Sequence, residues 1–130
     1  MKATARVPLP VIKSDDCACD GRTLARLVQP AILAALAQSE AHGYMIVRRL
    51  SDMPLYCGHR PDATGVYRFL RQMERKGLVF SKWEASAAGP AKRHYRITDE
   101  GRDCLRRWVQ TLAEYREAIG ELLEFTRGAG

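Results

Sequence analysis

The segment Thr64-Gly65-Val66-Tyr67-Arg68-Phe69-Leu70-Arg71-Gln72-Met73-Glu74-Arg75-Lys76 has two faces when wound as a helix. Val66, Phe69, Leu70 and Met73 form one apolar stripe, while Thr64, Arg68, Arg71 and Arg75 lie within about 60° of one another on the opposite side. One face packs and the other presents guanidinium groups. Asp62 or Thr64 supplies an N-cap, and Gly77 stops the helix in the C-cap manner. Arginine offers bidentate hydrogen bonds to phosphates and guanine edges, and a helix fits the major groove of DNA, so the pattern suits recognition. An exposed basic helix without a nucleic-acid partner carries the same pattern, and the flanking segments have to separate the two readings.

Downstream, Leu78 to Glu84 reads as a strand, Ser86 to Pro90 as a small-residue turn and Lys92 to Thr98 as a returning strand, together a β-hairpin. Upstream, Pro54, Gly58 and Pro61 punctuate a loop. Before it, Gly43, Ile46, Val47, Leu50 and Met53 fall on one stripe of a helix from about His42 to Met53. Leu24, Leu27 and Val28 suggest a short helical turn that stops before Pro30. Pro30 then fits the first turn of a new helix whose Ala31 to Ala37 segment is apolar on nearly every side. Three helices and a hairpin make a winged helix-turn-helix, a mainly α fold with a β wing. Lys92 and Arg93 sit where a wing meets the backbone or minor groove of DNA.

The last helix begins at Thr98, which caps it, with Asp99 and Glu100 at its positive end. Leu105, Trp108, Leu112, Tyr115, Ile119 and Leu122 then recur at alternating steps of three and four. Such a heptad seam needs a covering partner, and a second copy of the chain is the expected one. A twofold dimer presents two recognition helices to two half-sites, so double-stranded DNA with a pseudo-palindromic operator is the expected target. The expected organisation is an N-terminal arm over 1–20, a winged domain over 21–98 and a dimerisation helix over 99–127.

Charge supports this layout. The chain has 130 residues, 21 Lys plus Arg and 15 Asp plus Glu, a net +6. Between Arg60 and Arg96, nine basic residues face three acidic ones, so that segment holds the whole excess. A basic module in a neutral scaffold is the footprint of a DNA-binding element. No run approaches the roughly 20 apolar residues of a membrane span, and the N-terminus lacks a signal peptide's apolar stretch, so a cytoplasmic chain without membrane contact is expected. No convergent carboxylate or nucleophile set gives a reaction to write down, which argues against an enzyme. A winged domain that has lost DNA binding and acts as a protein-interaction module is the alternative.

Ile32-Leu33-Ala34-Ala35-Leu36, His42-Gly43-Tyr44, Thr64-Gly65-Val66-Tyr67, Lys76-Gly77-Leu78-Val79, Gly89-Pro90-Ala91-Lys92-Arg93 with Tyr95, and Ile97-Thr98 with Gly101 follow one another in an order and spacing that resemble the PadR family of transcriptional regulators, of the compact kind with one C-terminal dimerisation helix. The resemblance covers about residues 30 to 125. It implies a dimeric repressor in which the third helix enters the major groove with Tyr67 on a phosphate, Lys92 and Arg93 belong to the wing, and His42 and Gly43 are structural.

The N-terminal Cys-x-Cys arm and the stretch Pro54 to Pro61 depart from the commonest family pattern and bear on the effector. Cys17, Cys19, Cys57 and His59 form a three-thiolate, one-imidazole set of the kind used in tetrahedral sites for zinc or another thiophilic metal, although the spacing is not that of a standard finger. Unpaired cytoplasmic thiols are the plainer reading. A flat apolar ligand stacked on Trp108 and Tyr115 in a dimer interface is a further effector mode, against the simpler reading of both rings as core.

Overall fold

The computed structural model describes residues 27–53, 62–86 and 88–129. The arm over 1–20 and the candidate ligands Cys17, Cys19, Cys57 and His59 lie outside the described residues. In chain order the elements are α1 (Val28–Gln38), β1 (Ala41–His42), α2 (Gly43–Ser51), α3 (Ala63–Arg75), β2 (Val79–Ser86), β3 (Gly89–Ile97) and α4 (Asp99–Ala129). This is a winged helix-turn-helix, mainly α with a β wing, followed by a long C-terminal helix.

Helix α1 does not break before Pro30. It starts at Val28 and runs through the proline, which occupies the third helical position, where the missing N–H would have had no intrahelical partner. Val28, Ala31, Ile32, Leu33, Ala35 and Leu36 are all buried, as expected for a central helix surrounded by others. Around it Ile46 and Leu50 from α2, Val66, Leu70 and Met73 from α3, and Val79, Tyr95 and Ile97 from the sheet complete one core. The apolar stripe of α3 is thus its packed face.

Local chemistry sets the ends of α3. The Asp62 carboxylate accepts the Gly65 N–H at 3.2 Å. At the other end Gly77 adopts φ 78°, and the N–H groups of Gly77 and Leu78 donate to the carbonyls of Glu74 and Met73. That pair of bonds is a Schellman cap, which needs the left-handed conformation glycine supplies without strain. Thr98 then ties two helix ends together: its hydroxyl donates to the Gly77 carbonyl at 2.6 Å and accepts the Gly101 N–H at 3.0 Å, capping α4.

Both hairpin strands extend further toward the tip than their sequence pattern predicts, and the sheet has an additional strand, β1. The strand order is β1-β3-β2, antiparallel throughout. Two residues are too few to show a period, so β1 carries no sequence signal of its own. Its register places Ala41 opposite Tyr95 and His42 opposite His94, which locks the start of α2 to the wing. Among the described residues no helix is long and apolar enough to cross a membrane.

Candidate nucleic-acid interface

Helix α3 leaves Thr64, Tyr67, Arg68, Arg71 and Arg75 exposed while Val66, Leu70 and Met73 are buried. The five recognition candidates therefore share the solvent side of one helix. Tyr67 leans on the start of α2, its ring lying against Gly43. Among the described residues, none of the Arg68, Arg71 and Arg75 guanidinium groups is within ion-pair distance of a carboxylate. Unneutralised guanidinium groups side by side on a helix can meet phosphate oxygens or base edges.

Arg49, by contrast, is occupied within the fold. Its guanidinium donates to the Ser39 carbonyl at 2.8 Å, the Ser39 hydroxyl at 2.7 Å and the Ala35 carbonyl at 3.3 Å. It closes the C-terminal end of α1, where a cation is favoured by the helix dipole.

The two wing candidates are neighbours in sequence but lie on opposite faces of β3, as a strand's period of two requires. Arg93 faces α3, bonding Glu74 at 3.2 Å and the Ser81 hydroxyl at 2.9 Å and lying over the Trp83 ring. Lys92 faces the other way, its ammonium 4.9 Å from the centre of the Tyr44 ring. Trp83, opposite Arg93 in the ladder, is 64% exposed, an apolar ring at the wing that the sequence reading does not single out.

The outer face of the sheet carries a polar cluster that the sequence reading also misses. His42 Nε2 lies 2.7 Å from a Glu84 oxygen, and His94 Nε2 lies 3.0 Å from a Glu40 oxygen. The hydrogen bond from His42 holds the Glu84 carboxyl below the usual carboxylate range; desolvation opposes it, and the nearby His94 and Lys82 add to the lowering. On the inner face burial pushes the Tyr95 hydroxyl above its ordinary pKa. No spacing rule links positions 42, 84 and 94. Only the pairing of both β1 and β2 with β3 brings them together.

The seam of α4 divides in two. Leu105 and Trp108 pack against the domain's own core, and the Trp108 indole N–H donates to Gln29 Oε1 at 2.9 Å. Further along, Tyr115, Ile119 and Leu122 are exposed, as are Val109, Leu123 and Phe125.

Comparison with known proteins agrees with this architecture. Residues 32–107 match the model of the transcriptional regulator PadR-like family. The chain belongs to the PadR-like family. The matched span runs from the core of α1 through the wing into the first turns of α4. A Mycobacterium tuberculosis protein described as a transcriptional regulator is 33% identical over 96 residues, covering 72% of this chain and 49% of its own length. The PadR-like chain thus spans about half the length of that curated relative. A transcriptional regulator of Thermoplasma acidophilum has a similar crystal structure, with a TM-score of 0.69 at 28% identity over 79% of this chain and 96% of its own. Bacillus subtilis PadR, crystallised in complex with operator DNA, shares the fold with a TM-score of 0.57 at 24% identity, covering 65% of this chain and 47% of that one.

Proposed function

We propose that this PadR-like chain is a homodimeric, sequence-specific DNA-binding repressor. In this reading α3 enters the major groove of double-stranded DNA, Lys92 and Arg93 serve the wing, and two copies joined through α4 span a pseudo-palindromic operator. A small molecule, a metal or an oxidant releases it. The observation that carries the reading is the exposed row Thr64, Tyr67, Arg68, Arg71 and Arg75 opposite a fully packed stripe. A helix of that design held out by a helix-turn-helix scaffold matches the geometry of groove recognition. The operator complex of Bacillus subtilis PadR supports it as an example of the fold on DNA.

The test is fluorescence anisotropy with the DNA upstream of the chain's own gene, titrated at several salt concentrations against a scrambled duplex. Specific binding is expected to exceed binding to the scrambled duplex by about 10³-fold or more. Equal and weak binding to both, already at low salt, would favour the protein-interaction module instead.

A further inference from the structure

We infer that His42, Glu84 and His94 form a binding site for a divalent transition-metal ion of the zinc class on the outer face of the wing. The site is built by the sheet. His42 on β1 and His94 on β3 are direct cross-strand partners, and Glu84 on β2 lies diagonal to His94 and reaches His42 across β3, two residues from Lys82, which pairs with His94. Cross-strand and diagonal neighbours on one face are within mutual reach of long side chains. One donor atom from each of the three lies within 4.8 Å of the others.

The geometry suits metal coordination. Glu84 Oε1 is 2.7 Å from His42 Nε2 and 3.7 Å from His94 Nδ1, and these separations bracket the roughly 3.4 Å between neighbouring donors around a tetrahedral zinc ion. The His42 and His94 rings meet edge to face, with centroids 5.0 Å apart. Two imidazoles and one carboxylate are the donor set of open zinc sites, leaving a fourth position for water.

The decisive atom is His94 Nδ1. Among the described residues it has no hydrogen-bond partner, and it has almost no contact with solvent, while Nε2 of the same ring bonds the Glu40 carboxylate at 3.0 Å. A carboxylate only accepts, so that bond occupies the Nε2 hydrogen and leaves Nδ1, 3.7 Å from a Glu84 oxygen, as the ring atom free to take a metal once it carries no proton. A carboxylate behind a ligating imidazole is the usual supporting arrangement of metal-bound histidines, fixing tautomer and ring orientation. Charge is consistent: Glu40 and Glu84 supply two negative charges beside two imidazoles, a balance a dication meets, with the exposed Lys82 ammonium as the nearby opposing charge. The ion would bridge the start of α2 to both wing strands.

None of these three ligands belongs to the thiolate set Cys17, Cys19, Cys57 and His59, and the experiment is built to tell the two sets apart. Metal-free full-length chain and a Cys17→Ser/Cys19→Ser/Cys57→Ser variant are each titrated with Zn²⁺ against a chromophoric chelator, then with Co²⁺ for its visible spectrum. Both proteins should take up an ion, and the triple variant should give Co²⁺ bands without thiolate charge transfer. In the triple-variant background Glu84→Gln, which keeps a hydrogen-bond acceptor for His42, should weaken Zn²⁺ binding at least 100-fold. Glu40→Gln should weaken it by about 10- to 100-fold. Circular dichroism checks that each variant is folded, and His94→Gln provides an independent ligand loss. Failure of the triple variant to bind Zn²⁺, or undiminished binding by folded Glu84→Gln and His94→Gln, would overturn the assignment. Both readouts are made without DNA, so they are independent of the proposed function.

Discussion

Arg93 on β3 is held by Glu74 on α3, its Nη2 3.2 Å from Glu74 Oε1 while Ser81 donates to the other carboxylate oxygen at 2.7 Å. This small network links the wing to the recognition helix. The pair is 39% and 30% exposed, so water screens it, and its contribution to stability should stay below about 1 kcal/mol. Its electrostatic role is larger than its energetic one, because Glu74 neutralises a cation at the proposed DNA face. Glu74→Gln should leave the urea midpoint nearly unchanged and steepen the salt dependence of DNA binding by up to about one phosphate contact. An unchanged slope would make Arg93 a purely structural arginine.

Arg68 and Lys92 should behave differently in the same assay. Arg68 projects from the solvent face of α3, whereas Lys92 lies on the wing beside Tyr44. Arg68→Ala should cost about 1–3 kcal/mol on the best operator and relax discrimination at one base position. Lys92→Ala should weaken all duplexes alike and lower the salt slope by about one. Full affinity in an Arg68→Ala/Arg71→Ala double variant at every salt concentration would remove α3 from the interface.

Gly101 is a packing constraint. A Cβ there would fall on the Leu78 carbonyl oxygen and on Ile97 Cγ1, inside van der Waals contact. The obstructing oxygen is backbone and also accepts the Thr98 N–H at 3.1 Å, so it cannot turn away as a side chain can. Gly101→Ala should therefore destabilise the domain by about 1–3 kcal/mol despite its favourable helix propensity, read as a lower urea midpoint. Wild-type stability would mean that α4 can slide away from the hairpin base.

What the sequence discloses and what it hides follow from how each feature is encoded. The faces of α3, the Gly77 stop and the Thr98 cap are local patterns, legible because a helix repeats within a few residues and a cap is a single side chain. The continuity of α1 through Pro30 is less legible, since the same residue that starts a helix also fits its third position. β1 is hidden because its two residues pair only across the fold. The polar cluster built on it is hidden with it, because its members are distant along the chain and meet only through strand register. The alternation of β3 was available in the sequence, and it already separates Lys92 from Arg93.

The bare half of α4 leads to the last prediction. Ile119 and Leu122 are each 60% exposed and Phe125 is 76% exposed, and together with Tyr115 they extend a seam whose first residues are packed within the chain. A monomeric protein rarely shows so continuous an apolar row to water, whereas a twofold pairing of α4 would cover it. Ile119→Glu/Leu122→Glu should turn a dimer into a folded monomer in sedimentation velocity, because neither side chain supports its own domain. The same variant should lose about 10²-fold or more in operator affinity, since the second half-site would no longer be tethered to the first. Trp108→Ala should do the opposite: it removes a ring packed on the core and bonded to Gln29, lowering thermal stability while leaving the exposed seam intact. If the double glutamate variant sediments like the wild-type chain, the bare seam is not the dimer contact and the two-half-site operator loses its structural basis.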